Sequence, residues 1–113
     1  MIVYSEKFVK IITFGFARAI TIYPFVLLRH KEDLKNNMLL NHERIHLTQQ
    51  KEMYIIGFYV LYVYYFFKLR KYINNNTLAY RAIPFEKEAK INETNLAYLK
   101  DRKKYNWKKY RCY

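Results

Sequence analysis

Residues 34–53 read LKNNMLLNHERIHLTQQKEM, a run free of proline and glycine that follows a candidate helix N-cap at Asp33. At helical spacing, Leu34, Met38 or Leu39, His42, Ile45 or His46, Gln49 or Gln50 and Met53 fall on one stripe, which predicts a helix. Within it, His42-Glu43-Arg44-Ile45-His46 sets two of the chain's three histidines one turn apart. Side chains four residues apart project from one face, so both rings can reach a single tetrahedral metal ion. Glu43 is rotated off that line and flanks the metal, within reach of a water bound to it. Zinc brings the pKa of such a water toward neutrality, and an adjacent carboxylate can accept its proton during attack on a carbonyl. The flanking Leu39, Leu40, Ile45 and Leu47 argue against a fully solvated face.

A catalytic zinc wants three protein ligands and an open position. No histidine follows His46, and His30 lies upstream in what reads as a loop or strand end. A carboxylate is therefore the natural third ligand. The segment Phe85-Glu86-Lys87-Glu88-Ala89 offers two, on a helix predicted to begin at Pro84. Alternate residues on a helix face different ways, so only one of Glu86 and Glu88 can face the metal. Gln49 and Gln50 lie near one turn beyond His46, placed to hydrogen-bond a histidine's second ring nitrogen or to line the cleft. Tyr80 and Arg81, just ahead of the glutamates, are candidates to stabilise an oxyanion.

HERIHLTQQ with AYRAIPFEKEA downstream resembles the zincin metallopeptidases of the glutamate-ligand type, the gluzincins. It is especially similar to short bacterial proteins that pair HExxHxxQQ with PFExEA. The resemblance spans roughly residues 20–105 and rests on those two motifs. It implies zinc-dependent hydrolysis of peptide bonds, with His42, His46 and Glu86 binding Zn2+ and Glu43 as general base. Aligning the alanine of the family's E-x-x-A-D signature onto Ala89 is what selects Glu86 and leaves Glu88 outside the ligand set. The signature's aspartate, which would orient a histidine, is replaced by Lys90.

The remaining sequence bounds the setting. A chain of 113 residues reads as a single domain, 1–113, and its 19% aromatic content predicts that it folds. The expected fold is α+β, mostly α: a minimal zincin-like domain with a small N-terminal strand or hairpin packed on the HExxH helix. SEKFVKIITFGF reads as an amphipathic helix or the start of a strand, and ARAITIYPFVLLRHK as an edge strand or short hairpin limb around Pro24. Lys7 and Lys10 precede the apolar run IITFGFA, and Ala17-Arg18-Ala19 resembles a cleavage site, but that arginine weighs against a secretory signal. The lone Cys112 excludes an internal disulfide and a cysteine-rich metal site.

A formal charge of +12 implies either simple solubility or an anionic partner: lipid, nucleic acid or an acidic protein. The run YIIGFYVLYVYYFFKL, ending at Lys68, Arg70 and Lys71, is either a buried core helix or one lying on or in a membrane. The tail LKDRKKYNWKKYRCY interleaves cations with aromatics, and the neighbouring apolar helix favours lipid over nucleic acid as its partner. Alternatively its aromatics pack on the core. Membrane-associated and cytoplasmic placements both remain open. So short a chain leaves little wall for a cleft, so a partner subunit, as in a homo-oligomer, or a small peptide substrate is expected. The competing functional class is a non-catalytic metal-binding or metal-free domain that binds a membrane or an acidic partner on a zincin-like scaffold.

Overall fold

The computed structural model describes residues 2–13 and 19–111. Residues 14–18, which hold part of the IITFGFA run and of Ala17-Arg18-Ala19, lie outside them, as do Cys112 and Tyr113. The architecture is α+β and mostly helical, as the sequence predicts. Strand β1 (Ile2–Tyr4) leads into helix α1 (Glu6–Thr13), and a hairpin of β2 (Ala19–Ile22) and β3 (Phe25–Leu28) follows. A short 3-10 turn over Lys31–Lys35 precedes α2 (Asn37–Glu52), α3 (Ile56–Arg70), α4 (Asn76–Ala82), α5 (Pro84–Asn92) and the four-residue α6 (Tyr98–Asp101). A second 3-10 turn covers Asn106–Tyr110.

The sheet order is β1-β3-β2, with β1 parallel and β2 antiparallel to β3. Proline cannot donate to a strand ladder, and Pro24 sits in the turn between β2 and β3, through a cis Tyr23–Pro24 bond, so of the two expected arrangements around it the hairpin forms. The HExxH helix starts three residues later than an Asp33 cap implies. Asp33 is buried inside the 3-10 turn, and Asn36 caps α2 by accepting a hydrogen bond from the Leu39 amide at 3.1 Å. At the far end Tyr54 and Ile55 both take positive φ, turning the chain sharply into α3.

The main core lies between α3, α4, α5 and the C-terminal segment. Phe58, Tyr65 and Leu69 of α3 pack with Ala79, Ile83, Phe85 and Trp107. The Phe85 and Trp107 rings are 4.7 Å apart. The basic tail therefore returns to the core through its indole and leaves Lys103, Lys104, Lys108 and Lys109 exposed. A smaller cluster of Val26, Leu28 and Leu40 seats the sheet on α2. Pro84 opens α5 at its first position, where its missing N–H costs nothing.

Candidate metal centre

Helices α2 and α5 pack side by side, and this contact brings the two sequence motifs together. The Nε2 atoms of His46 and His42 lie 3.2 and 3.4 Å from the same oxygen, Oε1 of Glu86. The two imidazole rings meet edge to face with centroids 4.9 Å apart. One ligand atom from each of the three residues falls within 4.8 Å of the others, so the group can hold a metal ion.

The opposite ring nitrogens decide what the inner ones carry. Nδ1 of His42 is 2.8 Å from the Glu93 carboxylate, which can only accept. Nδ1 of His46 is 2.8 Å from Oε1 of Gln49. The Gln49 amide has a fixed orientation, because its Nε2 donates to the Phe85 carbonyl at 3.1 Å and to Glu88 at 2.9 Å. Both histidines thus donate a proton from Nδ1, and both Nε2 atoms face a carboxylate oxygen, where each can bind a metal once it carries no proton. Three lone-pair donors at this separation repel unless a cation or a proton sits among them. Burial alone would lower the pKa of His46; the Glu86 carboxylate overrides it and raises the ring to about 9. Glu86 is held well below the usual carboxylate range by the two histidines, against the opposing effect of its own burial. Two imidazoles and one carboxylate, backed by polar groups that fix the rings, fit a divalent metal with nitrogen and oxygen ligands.

Beside this trio lies a cleft of about 270 Å³, lined among others by Thr21, Glu43, His46, Tyr62, Tyr80 and Glu86. Glu43 faces it and accepts a 2.5 Å hydrogen bond from the Thr21 hydroxyl. Tyr62 donates to Oε2 of Glu86 at 2.7 Å, leaving Oε1 toward the histidines. The Tyr80 hydroxyl is pushed above its ordinary range, first by burial and then by the Glu86 charge. Arg81 is exposed on α4 and is not among the residues lining this cleft.

Glu86 and Glu88 take opposite roles. Glu88 is fully buried away from the two histidines, where Arg102, Tyr98 and Gln49 all donate to it. Arg102 is in turn paired with Glu52 of α2. Gln49 therefore relays a fixed carboxylate to His46. Gln50 instead joins α2 to the hairpin, donating to the Thr21 carbonyl and accepting from the Tyr23 amide, both at 2.7 Å.

Sequence reasoning missed Glu93, which supplies the carboxylate that Lys90 does not. Glu93 follows α5 directly, and Asn41 of α2 holds it there by donating to the carbonyls of Asn92, Glu93 and Asn95. Lys90 pairs with the other Glu93 oxygen at 3.0 Å. Thr21 lies in no motif, and nothing local marks Tyr62 out among the chain's 13 tyrosines. Of the nine acidic residues in the chain, Glu43, Glu52, Glu86, Glu88 and Glu93 belong to this interior network. Comparison of the chain with family models, curated proteins and solved structures yields no match.

Proposed function

We propose that the chain is a zinc-dependent peptidase of the gluzincin type, with His42, His46 and Glu86 as ligands and Glu43 as general base. The observation that supports this most strongly is the convergence of both Nε2 atoms on Oε1 of Glu86, with Glu43 lining the adjoining cleft. Zinc held by these residues supplies Lewis-acid polarisation of a carbonyl and acidifies water. Glu43, oriented by Thr21, takes a proton from the attacking water and returns it to the leaving amine. Tyr80 donates to the developing oxyanion. Tyr62 keeps its donor on Glu86 and fixes which carboxylate oxygen faces the rings. Ala19, Ile20 and Thr21 of the edge strand β2 line the same cleft, which suits an extended peptide laid along the strand.

The test is hydrolysis of a quenched fluorescent peptide library by zinc-loaded protein. Glu43→Gln is expected to lower the rate by at least about 10²-fold while zinc stays bound. Zinc-loaded wild type that cleaves no peptide would leave the metal-binding, non-catalytic class in its place.

A further inference from the structure

Helix α3 is apolar on the face turned away from the core as well as on the face turned toward it. Phe58, Tyr65 and Leu69 are buried, yet Ile56, Val60, Val63, Tyr64 and Phe67 are exposed, from 51% for Val63 to 76% for Ile56. At 100° per residue those five fall within an arc of about 100°, a continuous outward stripe roughly 17 Å long. No helix among the described residues is long and apolar enough to cross a membrane. The 15 residues of α3 extend about 22 Å, short of the ~30 Å hydrocarbon thickness.

Three features accompany the stripe. Tyr54 and Tyr72 bracket α3 and are 87% and 81% exposed, at the two ends where amphipathic rings meet headgroups. Lys68 and Lys71 are exposed at the C-terminal end, and Arg70 joins them there. No aspartate or glutamate occurs anywhere between Glu52 and Glu86. The acidic residues of the chain are largely interior, so the +12 charge is presented outward.

We propose that α3 lies flat on an anionic lipid bilayer, its outward stripe set among the acyl chains near the headgroups and its cations on the phosphates. The charge selects this occupant. A second copy docked through the same face would bring two strongly cationic surfaces together, whereas anionic lipid neutralises them. The bilayer also covers the apolar groove of Tyr62, Val63, Phe66, Phe67, Asn76 and Tyr80, which shares Tyr62 and Tyr80 with the metal-site cleft.

Co-sedimentation of the full chain with vesicles tests the proposal. Binding is expected to phosphatidylcholine vesicles containing phosphatidylserine, and far less to phosphatidylcholine alone. Val63→Asp with Phe67→Asp, both at exposed positions, should weaken binding more than about tenfold with the circular dichroism spectrum unchanged. Lys68→Glu with Lys71→Glu should weaken it by at least about fivefold for each cation removed. Three results would each overturn the proposal: no binding to either vesicle, binding indifferent to the stripe substitutions, or a solution dimer that those substitutions dissociate. Neither binding nor its loss depends on Glu43 or on metal, so this test is separate from that of the peptidase reading.

Discussion

Oε2 of Glu93 stands 2.8 Å from Nδ1 of His42, at the end of the helix that also carries Glu86. In the proposed metal site, one helix and its cap would thus supply both a ligand and the carboxylate that orients a ligand. Replacing Glu93 by Ala frees the His42 ring and is expected to weaken metal affinity by about 10- to 100-fold. Competition with a chromophoric chelator measures it, and an affinity equal to wild type would remove Glu93 from this role.

Gln49 links the same centre to the buried Glu88. Gln49→Ala strips a partner from His46, from Glu88 and from the Phe85 carbonyl, all in the interior. A loss of roughly 2–4 kcal/mol in urea unfolding is expected, together with weaker metal binding. Gln50→Ala should instead loosen the hairpin while metal affinity changes much less, because its bonds go to Thr21 and Tyr23.

The Arg102 guanidinium sits between Glu52 and Glu88. Arg102→Met leaves buried carboxylates uncompensated and should cost about 3–5 kcal/mol. Burial by itself raises the Glu88 carboxyl, but hydrogen bonds from Arg102, Tyr98 and Gln49 hold it below its ordinary value of 4.5. A depressed folded-state pKa gives stability that is present above the unfolded value and lost as pH falls through the folded one. The wild type should therefore lose stability progressively below about pH 4.5, and the Arg102→Met variant should show a shallower acid limb. Thermal melts across pH compare the two, and identical acid limbs would contradict this account of Glu88.

Tyr80→Phe removes the hydroxyl assigned to the oxyanion. Its expected effect is a fall in kcat of about 10²- to 10³-fold that persists at saturating zinc, with some loss of zinc affinity because the same hydroxyl hydrogen-bonds Glu86. Tyr62→Phe should show the reverse emphasis, since its hydroxyl holds Glu86. Metal affinity would fall first, and activity would recover at saturating zinc.

Much of this arrangement is legible from local spacing. His42 and His46 share a face because helical geometry requires it, and Pro84 marks the start of α5 for an equally local reason. The residues that finish the site are fixed by contacts across the sequence. Glu93 lies outside any motif and is placed by Asn41, some fifty positions earlier in the chain. Thr21 reaches Glu43 only because Gln50 and Tyr59 hold its strand against α2. Of the tail's two readings, a lipid-binding stretch or aromatics packed on the core, Trp107 takes the second against Phe85, while the burial of Arg102 depends on Glu52 and Glu88, which no local pattern links to it. The helix start differs from the Asp33 cap the sequence predicts for a physical reason: the 3-10 turn takes Asp33, and Asn36, an equally competent cap, begins α2.

Zinc titration of wild type beside Glu86→Ala and His46→Ala tests the central claim most directly. One zinc ion per chain is predicted for the wild type, with binding lost or weakened by orders of magnitude in either variant while the fold persists. Wild-type protein that binds no zinc, or binding that survives both substitutions, would contradict the account.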